Sequence, residues 1–114
     1  MLIQERGWRS IAALNGLMAV IMGAVAAHAV HESLPALFME KASRYQLIHA
    51  VVLLWLADKL PKRMVQARLA FLAGIVLFCG SLYIRALTGW SDITLLAPAG
   101  GICLMAGWLL IVLA

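Results

Sequence analysis

Three stretches of the chain are apolar over the length of a helical membrane crossing and a fourth, Tyr45 to Ala57, is shorter, and charged residues stand almost entirely at their borders. About 20 consecutive apolar residues carry an α-helix through a hydrocarbon core about 30 Å thick. The expected spans are about 10–30, 43–60, 66–88 and 93–114, forming one four-helix transmembrane domain over 1–114. The second is the shortest in apolar content, lying between Arg44 and Asp58, so it crosses only with its flanking charges snorkelling to the headgroups. Ahead of it, Ser33 as a cap and Pro35 as an N-terminal proline predict an earlier helix start. Leu34, Leu37 and Phe38 predict a short interfacial helix before the chain turns inward. The first run follows Arg6 and Arg9 and ends near Ala27-His28-Ala29, which also fits a secretory signal with an A-x-A cleavage site. Its uncharged length of about 20 residues exceeds the 7 to 15 of a signal core, so a retained transmembrane helix is expected.

Composition sharpens this picture. Of the 114 residues, 65% are hydrophobic and 12% charged, against roughly half and a quarter in soluble domains. A water-soluble fold of this size has no interior large enough for so much apolar surface. The net charge of +4 does not point to nucleic acid, because the basic residues sit at the ends of apolar runs rather than along one face. They orient the chain instead. Arg6, Arg9, Lys59, Lys62, Arg63 and Arg68 fall on one side of the membrane, and Lys41, Arg44 and Arg85 on the other. The basic excess places both termini and the middle loop in the cytoplasm. Trp8 and Trp55 near inner ends and Trp90 near an outer end fit aromatic belts, while Trp108 lies deeper. Cys79 and Cys103 lie inside apolar runs, where a free thiol acts as a small hydrophobe.

Helix faces follow from spacings of three and four. Ala12, Gly16, Ala19, Gly23 and Ala26 form a small-residue seam on the first span. Ala67, Ala70, Gly74, Ser81, Arg85 and Thr88 form another on the third, and Gly100 and Gly107 lie a heptad apart on the fourth, behind Pro98. Such seams let helices approach closely in lipid, where no hydrophobic force drives them together.

Four motifs resemble those of a known family. Gly23-Ala24-Val25-Ala26-Ala27-His28 is similar to G-A-F-G-A-H, and Tyr45-Gln46 with His49 to Y-Q-x-x-H. Gly80-Ser81-Leu82-Tyr83 with Ala86-Leu87-Thr88-Gly89 is similar to G-S-L-Y-x-x-A-L-T-G, and Pro98-Ala99-Gly100-Gly101 with Ala106-Gly107-Trp108 to P-x-G-G ending in A-G-W. In this order they resemble the YgdD-like small inner-membrane proteins, domain of unknown function 423, related to eukaryotic transmembrane protein 256. The chain departs from that pattern at Ala26, Ala29, Ala97 and Arg85. The resemblance implies a four-helix membrane fold and inner-membrane location, and supplies no catalytic residues.

With the first and third spans running outward and the others inward, the signature residues gather in the outer half of the bundle. Intramembrane polar groups there are either interhelical glue or a site. The candidate ligand-binding residues are Tyr45, His49, Ser81, Arg85 and His28, with Tyr45/His49 and Ser81/Arg85 each sharing a face at a spacing of four. His28 lies about 160° from the first seam at 100° per residue, which places it at headgroup level unless the helix is buried on two sides. Arg85 either snorkels outward or turns inward towards Asp92, Tyr45 or Ser81. His28, His49, Cys79, Cys103 and Met105 lack any metal-ligand spacing, so neither metal nor other cofactor is expected. Ser81 has no base near it in sequence, and His31 with Glu32 fits a solvated turn, so an enzyme is not expected. The leading expectation is a structural or accessory protein with membrane lipids and either copies of itself or a larger membrane complex as partners. The alternative is a small binding or transport protein holding a lipid, quinone, metal ion or other ligand in the outer-half cluster.

Overall fold

The computed structural model describes residues 2–114, which are helical along almost their whole length. Helix α1 spans Leu2–His28 and α2 spans Ser33–Leu56. A third rod is assembled from α3 (Lys62–Gly74), a π-helical turn (Ile75–Cys79) and α4 (Gly80–Thr88). It ends at Gly89, whose φ of 76° is the left-handed conformation that glycine adopts without strain, and whose N–H bonds to the Arg85 carbonyl. A 3-10 turn (Ser91–Leu96) then leads into α5 (Ala97–Leu113), with Pro98 in its first turn, where a missing N–H costs nothing. The longest dimension is 44 Å, the thickness of a bilayer with its headgroups.

Three rods, Gln4–His28, Lys62–Thr88 and Ser91–Leu113, are long and apolar enough to cross a membrane. Helix α2 falls outside that set because Glu40, Lys41 and Arg44 occupy its first half; there Arg44 donates to Glu40 at 2.8 Å on an exposed face. The expected interfacial helix ahead of the second span is absent among the described residues. Leu34, Leu37 and Phe38 belong to the same unbroken α2, because Pro35 falls within the first turn, where proline is tolerated. Ser33 is not the cap either: Glu32 occupies that position, without a side-chain capping bond.

Helix α1 lies along α2, α2 packs on α4 and the π turn, and α5 lies along α3 and the π turn. The first seam works as its spacing predicts. Ala12, Ala19 and Ala26 are buried against α2, and the Ser43 hydroxyl donates to the Ala19 carbonyl at 2.7 Å across the interface. On the third rod the seam differs from expectation. Ala67, Gly74 and Ser81 are buried, but Ala70 and Arg85 are only half-buried and Thr88 is exposed. The buried stripe is instead Ala67, Phe71, Ile75, Cys79 and Tyr83, every fourth residue. A spacing of four drifts about 40° per step around an α-helix at 100° per residue, and the wider π turn takes back part of that drift. Phe71 and Tyr83 thereby stay on the packed side.

Candidate functional site

At the middle of α1, Asn15 donates from its amide to the Ile11 carbonyl (2.9 Å), which orients its oxygen outward from the helix. That oxygen accepts from the Gln46 amide on α2 at 3.0 Å, and the Gln46 oxygen accepts from the Tyr83 hydroxyl on α4 at 2.7 Å. One hydrogen-bond chain thus ties three helices together through a buried glutamine. Beside it runs an open, largely apolar groove of about 230 Å³ lined by Asn15, Gln46, Tyr83, Ile75 and Cys79 among others.

His49, one turn further along α2, faces the opposite partner. Its Nδ1 lies 2.6 Å from the Tyr45 carbonyl and its Nε2 lies 3.1 Å from the Trp108 indole nitrogen on α5. A carbonyl only accepts and an indole N–H only donates. The ring is therefore the neutral tautomer with its proton on Nδ1. Phe71 packs against both, with ring centroids 5.4 Å from His49 and 5.3 Å from Trp108 in tilted and edge-on geometry.

The predicted site residues do not form one network. Tyr45 stacks parallel to His49 at 6.2 Å and tilts against Phe78 at 4.9 Å, with its ring partly exposed. Ser81 is buried but donates to the Phe78 carbonyl of its own rod at 2.9 Å. Arg85, half-buried, holds its guanidinium 5.5 Å above the Phe38 ring, and no side chain among the described residues pairs with it. His28 is exposed at the end of α1. Helix α2 begins at Ser33, as the early cap and proline predict, so Tyr45 lies at its middle and His49 in its second half.

Three participants escaped the sequence reading. Gln46 stood inside the Tyr45-Gln46 motif without being singled out, and Asn15 lies in an otherwise apolar run, which was the available signal. The charge pattern marks Arg68 only as a loop charge. It is 4% exposed, and it donates to the Ala57 carbonyl at 3.0 Å beneath the Trp8 ring, 5.1 Å away.

Comparison with known proteins places this geometry among relatives. Residues 22–101 match the family model described as "Protein of unknown function (DUF423)". The UPF0382 membrane protein YwdK of Bacillus subtilis is 36% identical over 112 residues, covering 91% of each chain. The UPF0382 inner membrane protein YgdD of Escherichia coli is 36% identical over 109 residues, covering 87% of this chain and 81% of its own. A UPF0382 membrane protein of Haemophilus influenzae is 33% identical over 106 residues, covering 88% and 86%. No solved structure matches. With its apolar rods, the chain is a multi-pass protein of the inner membrane.

Proposed function

The chain belongs to the DUF423 family, whose relatives carry names of location rather than activity, and from that premise we propose that it is a small structural or accessory protein of the inner membrane. Its polar residues act as glue between helices. The observation that carries this reading is hydrogen-bond satisfaction: among the described residues, every enclosed side-chain nitrogen or oxygen has a partner except Arg68 Nε. Gln46 spends its oxygen and one amide N–H on neighbouring helices, and His49 spends Nδ1 on its own helix and Nε2 on Trp108 of α5, which fixes the helices' rotation and leaves little to bind a ligand. The margins of the bundle are apolar, with Leu14, Leu17 and Ile21 outward on α1 and Ile102, Met105 and Leu109 outward on α5. Such faces suit lipid or partner helices. Ser81 is back-bonded within its own rod, and among the described residues no base is hydrogen-bonded to it.

Native mass spectrometry after gentle extraction tests the reading. A discrete assembly heavier than the 12.4 kDa chain is the expected result. A monomer that retains one small molecule in fixed ratio would transfer support to the binding alternative, which the groove beside Gln46 favours: the second N–H of the Gln46 amide is available there for a carbonyl-bearing apolar ligand.

The proposal includes four crossings with both termini cytoplasmic. It requires α2 to span despite Glu40, Lys41 and Arg44, with Arg44 paired to Glu40 and the Lys41 and Arg44 side chains snorkelling towards the outer headgroups. Single cysteines at Lys62 and Ser91 check it with a membrane-impermeant reagent added to intact cells. Labelling at Ser91 alone is expected, and labelling at Lys62 alone inverts the topology.

A further inference from the structure

The exception to internal satisfaction lies at one end of the bundle, where the start of α1, the turn after α2 and the first turns of α3 meet. Arg68 is buried there without a carboxylate within ion-pair distance among the described residues. One backbone carbonyl and one indole face are its neighbours, and its Nε has no partner. A guanidinium withdrawn from water in this way lacks the full negative charge that ordinarily offsets its desolvation. With one terminal nitrogen on the Ala57 carbonyl, the guanidinium keeps further N–H donors of the kind that phosphate oxygens accept from.

Arg68 lines a recess of about 50 Å³ together with Gln4, Glu5, Asp58 and Lys59. A second recess of about 140 Å³ adjoins it through Glu5, Ala57 and Asp58 and adds Arg9. About 10–15 Å³ of such space holds one water, so the combined space exceeds the needs of a single bridging water. The lining carries both signs of charge. A free anion meets repulsion from Glu5 and Asp58, and a free cation meets it from Arg68 and Arg9. A dipolar molecule satisfies both. Helix ends at this level of the bundle lie where phospholipid headgroups lie.

We propose that this cleft binds the headgroup of a phospholipid carrying a primary ammonium, with the phosphate on Arg68 and the ammonium on Glu5 and Asp58. One Asp58 oxygen already accepts from Lys59 at 3.2 Å on an exposed surface, a contact that contributes little and leaves the second oxygen free. The ammonium N–H groups are what the carboxylates select. A choline headgroup has the same phosphate and the same net charge but no N–H to donate. The site is independent of the accessory role, since a lipid at the rim of the bundle is compatible with either functional reading.

The test is lipid retention by the full chain in native mass spectrometry, with phosphatidylethanolamine, phosphatidylcholine, phosphatidylglycerol or inorganic phosphate supplied in turn. Phosphatidylethanolamine is expected to be retained about tenfold better than phosphatidylcholine, a difference of about 1.4 kcal/mol. Combined Glu5→Gln and Asp58→Asn substitutions, at the helix start and in the turn, should abolish that preference while leaving residual phospholipid binding. Arg68→Gln should weaken every phospholipid. If Arg68→Gln does not fold, the carboxylate variant and the choline comparison decide alone. Equal retention of the ethanolamine and choline lipids overturns the proposal. So does a preference for phosphatidylglycerol that the carboxylate variant leaves unchanged, or binding of inorganic phosphate as firm as that of the lipid, or no retention at all.

Discussion

The interface between α1 and α2 and the interface between the third rod and α5 both use glycine, but for different ends. On α1 the glycines and alanines make a smooth seam: a Cβ on Gly16 meets the Ala50 Cβ at 3.9 Å, ordinary contact, and a Cβ on Gly23 meets the Ser43 hydroxyl at 2.8 Å. Against α5 the glycines are holes already filled. A Cβ on Gly74 lands 2.5 Å from Leu104, one on Gly107 lands 2.6 Å from the Phe71 ring, and one on Gly100 collides with the backbone nitrogen of Phe78 in the π turn. The first interface is small against small, with slack at Gly16 and a close hydroxyl contact at Gly23. The second is large against nothing, without slack, and there a substitution has to move a ring or a main chain.

The largest effect expected from this contrast is at Gly100. Gly100→Ala pushes against main chain that no side-chain rotation relieves, and should lower stability by about 3 kcal/mol, the upper end of ordinary overpacking; thermal unfolding in detergent measures it. Gly107→Ala displaces the fully buried Phe71 ring and with it the His49–Trp108 pair, and about 2 kcal/mol is expected. If either variant is as stable as the parent, the filled-hole description fails.

Next in size is the polar chain that ties α1 to α2 and α4. Gln46→Leu and Tyr83→Phe should each cost about 0.6 kcal/mol and at most about 1.7 kcal/mol, the average and the upper end measured for interhelical hydrogen bonds in membranes. In a double-mutant cycle the pair should cost less than the two singles together, because they share one bond. Strict additivity would mean that the bond contributes nothing. The smallest effect is at Gly16. Gly16→Ala has room for its methyl and gains helix propensity of up to about 1 kcal/mol, so it should be neutral or stabilising by the same thermal measurement. A loss matching that of Gly107→Ala would erase the difference between the interfaces.

What the sequence determined by itself is what depends on local periodicity and on the solvent. Apolar runs of bilayer length make helices, because lipid leaves backbone groups no partners outside the helix, and the Ala12-to-Ala26 seam was readable because its residues recur within one regular helix. Residue spacing also located Gly100 and Gly107. The tertiary structure decided everything that depends on the rotation of one helix relative to another. Gln46 meets Tyr83 and His49 meets Trp108 across sequence separations of 37 and 59 residues, and no periodicity encodes such a meeting. The π turn resets the phase of the third rod partway along it, so a seam extrapolated at constant pitch from Ala67 reaches Thr88 on the exposed side while Tyr83 turns inward. Arg68 shows the same division: its charge was visible as a topology signal, but its burial under Trp8 came from the packing of α1 against the turn after α2, since a side chain's surroundings are set by elements distant in sequence.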